Sequence, residues 1–243
     1  MPHLPANACR FHHKPPLAAA MTDFPFDIVG FDLDGTLLDT LGDLASAVNH
    51  ALALEGRASI PVENVRHLVG GGSRKMLARA LEETGGPVSD ARFDTLSAEL
   101  IDFYGDNIAV HTQLYPGGAA MLDALEARGV RLALVTNKLE GLAVKLLGKL
   151  GLSGRFYTII GGDTLGDGRA KPRPDLLLEM VARAGGGRPA YVGDTTYDTR
   201  AAQAAGIPCV AVSFGFNDLR ADQLGAAAVI DHFDQLVPTL ESL

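Results

Sequence analysis

Phe31-Asp32-Leu33-Asp34-Gly35-Thr36-Leu37-Leu38-Asp39, arriving directly after the apolar run Phe26, Ile28 and Val29, is the stretch that decides how this chain reads. The run reads as a buried strand that ends by presenting two acids at its C-terminal tip. Side chains alternate along a strand, so Asp32 and Asp34 face the same way and sit side by side. Like charges that close repel unless a cation or a proton is shared between them. A hard cation such as Mg²⁺ is commonly held by one or two carboxylates together with a substrate phosphate. Gly35 and Thr36 then turn the chain, and glycine lets backbone approach a ligand closely. Asp, Gly and Thr are also ordinary turn residues, so the stretch by itself equally admits a plain polar turn after a core strand.

Three later segments weigh on that choice. Arg131 to Val135 is a second apolar strand, and it ends in Thr136-Asn137-Lys138. Lys171-Pro172-Arg173-Pro174-Asp175 forms a loop just before a helical pattern, and Ala190-Tyr191-Val192 is a short strand ending in Gly193-Asp194, with Asp198 four residues on. The chain thus offers, in order, an acid pair, a hydroxyl and amide, a cation, and a second acid pair. Open α/β sheets bind ligands outside the carboxyl ends of their strands, so all four can converge on one crevice.

With these four motifs the chain resembles the haloacid dehalogenase superfamily of phosphohydrolases, over roughly Phe26 to Leu236. Within it the chain is most similar to the phosphoglycolate phosphatases, on Val135-Thr136-Asn137-Lys138, Val192-Gly193-Asp194-Thr195, Phe214-Gly215-Phe216-Asn217 and Leu68-Val69-Gly70-Gly71-Gly72-Ser73. The resemblance implies a mechanism. Asp32 attacks phosphorus to give an aspartyl-phosphate, as carboxylate nucleophiles do. Asp34 protonates the departing oxygen and then takes a proton from the hydrolytic water. Mg²⁺ is held by Asp32, the main-chain carbonyl of Asp34 and Asp194, with Asp198 supporting it through waters. Thr136, the Asn137 amide and Lys171 cradle the phosphate, since phosphoryl transfer needs mainly positioning and charge stabilisation. The implied substrate is a small phosphate monoester, first of all 2-phosphoglycolate, with sugar phosphates and nucleotides as alternatives. A sugar-phosphate mutase keeps both acids, but that group usually shows Val where Thr36 stands. A dehalogenase lacks the second acid, and a phosphonatase needs a Schiff-base lysine, for which Lys75 is the one candidate.

Each motif also has a plainer reading. Lys171 is a solvated surface lysine in the commonest case, and Thr136 a strand-end hydroxyl capping a turn. Asp194 and Asp198, if they share a helix, repel at i,i+4 spacing without a counter-charge, which points to a bound cation. Asp39 and Asp43 are expected to be helix N-terminal acids favoured by the macrodipole. Val69-Gly70-Gly71-Gly72-Ser73-Arg74-Lys75 opens a helix, where an anion can be held. Arg74 is accordingly a candidate for gripping a substrate carboxylate, against the alternative of a flexible turn with two solvated basic residues.

Periodicity sets the organisation. Leu41, Leu44, Val48 and Leu52 recur at helical spacing, as do Met76, Leu77, Ala80 and Leu81, and Phe93, Leu96, Leu100 and Phe103. No strand pattern intervenes between Thr40 and Leu114, so residues 40–114 are expected to form an all-helical cap inserted after the first strand, able to close over the site as lids do. After Tyr115, strands alternate with helices, predicting an α/β, Rossmann-like parallel sheet with helices on both faces, built from residues 21–39 and 115–243.

Composition narrows partners rather than chemistry. The formal net charge is −8, from 21 basic and 29 acidic residues, and with no basic footprint nucleic acid is not expected as a partner. An anionic substrate must then be drawn in by local cations, not by the global field. Cys9 and Cys209 are too few for a disulfide framework, and Cys209, within the apolar run Ile207 to Val212, reads as a small buried hydrophobe. The seven histidines show no zinc-type spacing. No apolar run is long enough for a membrane span, so no membrane partner is expected and the location is expected to be cytoplasmic. Oligomeric state is left open. Residues 1–20 carry four prolines and are expected to be a disordered tail; Met21-Thr22-Asp23 makes a natural start.

Overall fold

The computed structural model describes residues 24–243. The expected tail, the Met21 start and Cys9 lie outside the described residues. From the N-terminal side, β1 (Ile28–Phe31) and the two-residue β2 (Leu38–Asp39) are followed by α1 (Leu41–Ala53), α2 (Val62–Val65), α3 (Ser73–Glu83) and α4 (Asp90–Asp106). Then come β3 (Gln113–Leu114), α5 (Gly118–Ala127), β4 (Arg131–Val135), α6 (Glu140–Lys149), β5 (Thr158–Ile160) and α7 (Asp175–Arg183). The chain finishes with β6 (Pro189–Gly193), α8 (Thr196–Ala205), β7 (Cys209–Val212), β8 (Ala228–Ile230) and α9 (Leu236–Glu241).

Six strands form one parallel sheet in the order β5-β4-β1-β6-β7-β8. Its strands are near-continuous apolar runs because both faces are covered, as parallel sheets require. Alternation along each strand sends side chains to opposite faces. Val29, Phe31, Leu132, Leu134, Val192 and Val210 join one core with α5, α6 and α9. Ile28, Ala133, Val135, Tyr191 and Cys209 join a second core with α7 and α8. Helices on both faces of a Rossmann-like sheet are thus the observed architecture. The strand order reverses at β1, which lies between β4 and β6, and ligand crevices form at such a switch point.

Between β2 and β3 the described chain is helical, in α1 to α4 and a short 3₁₀ turn, Arg66–Leu68. Leu44, Val48 and Leu52 of α1 pack with Met76 and Leu77 of α3 and Leu96 and Leu100 of α4. Each such buried leucine contributes about 1.5–3 kcal/mol. The base of this segment is the small antiparallel ladder of β2 and β3, too short to leave a period in the sequence. Asp43 lies in the first turn of α1 as expected. Its buried carboxylate also accepts from the main-chain N–H groups of His111 (2.9 Å) and Thr112 (3.1 Å) and from the Thr112 hydroxyl (2.6 Å), fastening the outgoing helix to the returning chain. Asp39 accepts from Leu41 N–H at 3.2 Å, an N-terminal helix contact.

Candidate active site

The motifs meet where β1, β4 and β6 end side by side. Asp32 follows β1 directly, and its N–H still donates to Val192 O at 2.9 Å, which fixes its backbone to the sheet. The chain then turns tightly, Gly35 N–H donating to Leu38 O at 2.9 Å. Gly35 has φ +82°, and a Cβ there would stand 2.4 Å from Asp194 Oδ2 and 2.7 Å from the Phe216 ring, so only glycine lets this turn pass so close. Thr36 uses its hydroxyl to donate to Asp194 Oδ1 at 2.9 Å, and Phe216 N–H donates to Asp194 Oδ2 at 2.7 Å. Asn217 completes the frame by donating to the main-chain carbonyls of Asp194 (2.7 Å) and Val212 (2.8 Å).

Lys171, in the loop before α7, is buried at the centre. Its ammonium donates to Asp198 Oδ1 (2.6 Å), Tyr191 Oη (2.9 Å) and Val135 O (3.2 Å), and lies 2.9 Å from Asp32 Oδ1. Burial works against its charge, but Asp198 and Asp32 hold its pKa above the ordinary lysine value. A solvated surface lysine is therefore excluded. Asp198 does not face Asp194 along a helix. Thr195 is the N-cap of α8, Asp194 precedes it, and Asp198 closes a capping box, its Oδ2 accepting from Thr195 N–H (3.0 Å), Thr195 Oγ1 (2.7 Å) and Asp194 N–H (3.2 Å). The repulsion expected of the pair is present, but across the start of α8 and not along it, and Lys171 supplies the counter-charge to Asp198.

Asp32, Asp194 and Asp198 present carboxylate oxygens all within 4.8 Å of one another, in a buried cluster. With all three carboxylates ionised, one ammonium would leave two negative charges uncompensated. Asp32 Oδ1 is buried and makes no well-directed hydrogen bond, Lys171 approaching it off-axis. Burial raises the Asp32 pKa to about 6 against the opposing pull of Lys171, with Asp198 and Asp34 adding to the rise. Burial, with Asp198 and Asp32, also pushes Asp194 well above the carboxylate range. An all-oxygen, doubly negative, buried donor set fits a divalent hard cation. Asp32 Oδ1 is the carboxylate oxygen freest to touch it; both oxygens of Asp194 and both of Asp198 also accept from protein donors.

Asp34 has a separate partner. Lys138 donates to both its oxygens, at 2.7 and 2.8 Å, and also lies over the Tyr104 ring at 4.5 Å. Thr136 is buried, lines the same cleft, and accepts from Lys138 N–H at 3.2 Å. Asn137 spends its side-chain amide on the frame, donating to Gly70 O (2.9 Å) and Lys171 O (3.0 Å) and accepting from Lys171 N–H (2.9 Å). Asp32, Asp34, Thr136, Asn137, Lys138 and Tyr104 line one cleft between the strand ends and the helical segment. Arg74 is not brought in. Its exposed guanidinium pairs with Asp94 at 2.7 Å and lies over the Phe93 ring at 4.7 Å, because its position on α3 faces α4 and solvent. Lys75 lies over Tyr197 and also stays out of the cleft lining. Lys138 and Tyr104 were given no role by the sequence reading. Lys138 is legible as the i+2 neighbour of Thr136, whereas Tyr104 adjoins the helical row Leu96, Leu100 and Phe103, which marks a buried face and no site residue.

The sequence profile described as haloacid dehalogenase-like hydrolase matches residues 29–212. The chain belongs to that family. It is 42% identical over 214 residues to a phosphoglycolate phosphatase of Agrobacterium fabrum, covering 86% of this chain and 90% of the relative. It is 40% identical to a phosphoglycolate phosphatase of Mesorhizobium japonicum, over 88% of this chain and 94% of that one. Among solved structures, that of a predicted phosphoglycolate phosphatase from Haemophilus somnus 129pt superposes with a TM-score of 0.83 at 29% identity, covering 90% of this chain and 99% of that one. The chain is therefore an enzyme of hydrolase type, and its named relatives are phosphoric monoester hydrolases. Among the described residues no helix is long and apolar enough to cross a membrane.

Proposed function

We propose that this haloacid dehalogenase-like hydrolase is a Mg²⁺-dependent phosphatase of a small monoester, most specifically 2-phosphoglycolate. The observation that carries the chemistry is the buried, doubly negative cluster of Asp32, Asp194 and Asp198 around Lys171, at the strand ends where phosphate esters are handled. The substrate's name rests on the relatives, which are phosphoglycolate phosphatases over nearly their whole length.

Asp32 is the nucleophile in this reading, which the shortage of hydrogen-bond donors at its Oδ1 supports. It attacks phosphorus, the alkoxide leaves, and an aspartyl-phosphate forms on Asp32. Asp34, two residues on, delivers the proton to the leaving oxygen and takes one from the water that cleaves the acyl phosphate. Thr136, the main-chain amide of Asn137 and Lys171 hold the phosphoryl oxygens. Asp32, Asp194 and the Asp34 carbonyl, supported by Asp198, would hold Mg²⁺, which would supply charge neutralisation at the transferring group. Residues 40–114 act as a cap whose closure excludes water. Cytoplasmic location belongs to the same reading.

Phosphate release from a panel of phosphorylated metabolites, with Mg²⁺ and with EDTA, tests this. Metal-dependent release that is steepest for 2-phosphoglycolate supports it in full. Release spread across sugar phosphates and nucleotides keeps the phosphatase and discards the named substrate. An isomerised product without phosphate release turns the assignment to a mutase.

A further inference from the structure

Among the described residues, three buried side-chain polar atoms lack a hydrogen-bond partner, and two of them, Asp32 Oδ1 and Tyr104 Oη, belong to residues lining the same cleft. Asp32 is accounted for by the phosphoryl chemistry. Tyr104 is not. Its ring packs into the apolar core with Leu100 on α4 and lies beneath Lys138, roles that a phenylalanine fills equally well. The Lys138 ammonium beside the hydroxyl can serve only its oxygen lone pairs, so the O–H proton is left without an acceptor. The group is buried, and a buried hydroxyl without an acceptor is costly unless something outside the chain supplies one.

The surroundings say what that something is. Lys138, 4.5 Å from the ring centroid, gives two of its three N–H donors to Asp34 and places a positive charge beside Tyr104. Asp34 joins the cleft from the strand-end side, whereas Tyr104 comes in on α4 from the helical segment, with Met76, Leu100 and Ile101 beside it in the lining. A ligand whose phosphate is seated at Asp32 and Thr136 thus meets Tyr104 with its other end. Burial pushes the Tyr104 pKa up to about 12 against the pull of Lys138, so the hydroxyl keeps its proton and can donate.

We propose that the Tyr104 hydroxyl is a specificity-determining contact. It donates to an oxygen at the end of the substrate distal to the phosphate, and the N–H of Lys138 not given to Asp34 favours a further acceptor there, as in a carboxylate. This rests on the phosphatase reading of the site and deepens it. Selection is assigned to α4, not to the Arg74 segment that opens α3. Sites built to hydrogen-bond a substrate oxygen discriminate strongly against the analogue lacking it.

The test compares 2-phosphoglycolate with ethyl phosphate, its counterpart without a polar tail, in wild type and Tyr104→Phe. The quantity read is the ratio of kcat/KM for the two esters. It is expected to fall about ten- to a hundredfold in the variant, mostly through KM for 2-phosphoglycolate, as for loss of a hydrogen bond to a charged group. Purely structural damage lowers both rates together and leaves the ratio alone, so a ratio within twofold of wild type overturns the proposal even if the variant is poorly active. Inhibition supplies a second measurement. Glycolate should lose potency in Tyr104→Phe by more than inorganic phosphate does, and equal losses count against the contact. If wild type prefers a different polar-tailed ester, the 2-phosphoglycolate assignment fails and the ratio is taken with that ester. If wild type prefers no polar-tailed ester over ethyl phosphate, the role of Tyr104 is overturned, while Mg²⁺-dependent release from ethyl phosphate leaves the phosphatase standing.

Discussion

The strand-end cluster and the helical segment above it are built on opposite plans. Around Lys171 two of the three carboxylates are held by fixed partners: Asp194 by Thr36 and Phe216, Asp198 by Thr195 and Lys171. The apolar residues of the helical segment join the cluster on the first face of the sheet, and the segment meets the site loops at a few polar points. Arg66 donates to Gly215 O at 2.8 Å, Asn137 donates to Gly70 O at 2.9 Å, and Arg79 donates to Tyr197 Oη at 3.3 Å. A fixed floor suits chemistry that depends on electrostatic preorganisation. A lightly tied upper segment suits selection, because its contacts can be made and broken with the ligand.

The floor should break hardest. Asp32→Asn is expected to lower phosphate release about 10³-fold or more, on the order of 4 kcal/mol of transition-state stabilisation, because it removes the nucleophile. Retention of more than a tenth of the activity would sink the assignment. Lys171→Met leaves Asp32 and Asp198 buried beside each other without their ammonium, and urea unfolding should show a loss of about 3–5 kcal/mol. A loss below about 1 kcal/mol would mean that the cluster relaxes, contrary to a rigid floor.

The same floor makes a signed prediction for pH. Asp32 has a folded pKa raised from an ordinary 3.8 to about 6. Folding therefore favours its protonated form, and its contribution is full below the unfolded value and lost as pH rises through about 6. The swing is about 3 kcal/mol at two pKa units. Asp194 is raised in the same direction. In EDTA, the Tm of Asp32→Asn minus that of wild type should grow as pH rises from 5 to 8, since the amide never ionises. Added Mg²⁺ should raise the wild-type Tm at pH 8 and narrow that gap. A gap that stays flat with pH removes the charge-excess argument.

What was legible in the sequence follows the same division. Asp32, Thr136 and Asp194 sit at the ends of apolar strand runs, and a strand's end is readable from where its apolar pattern stops. Pairings were not readable. Lys138 and Asp34 are 104 residues apart, and Lys171 and Asp198 27, so which ammonium serves which carboxylate is decided by strand order. Asp194 and Asp198 misled because spacing alone does not say that α8 begins between them. The β2–β3 ladder and the turn of α2 are too short to carry a period. On the helical segment the pattern Phe93, Leu96, Leu100 and Phe103 locates a buried face but not which residue looks into the cleft, so Tyr104 has no signal of its own, and the basic residues after the glycines point to Arg74 instead.

Smaller effects test the upper segment. Arg66 joins it to the loop that also supplies Phe216 N–H to Asp194, its guanidinium lying 5.8 Å from the Phe216 ring. Arg66→Ala should raise KM about fivefold, roughly 1 kcal/mol, with a smaller change in kcat, as for one lost hydrogen bond. Arg74→Ala should do least. Its ion pair with Asp94 is exposed on both sides, and such pairs contribute about 0–1 kcal/mol. The packing of its stem over Phe93 adds little more. Unfolding free energy should therefore fall by less than about 1 kcal/mol, and KM for 2-phosphoglycolate should stay within about twofold of wild type. An Arg74→Ala enzyme that loses 2-phosphoglycolate selectively, while keeping ethyl phosphate, would require the α3 opening to swing Arg74 from Asp94 into the cleft on closure. Selection would then be shared between α3 and α4, and the upper segment would have to move further than its present contacts imply.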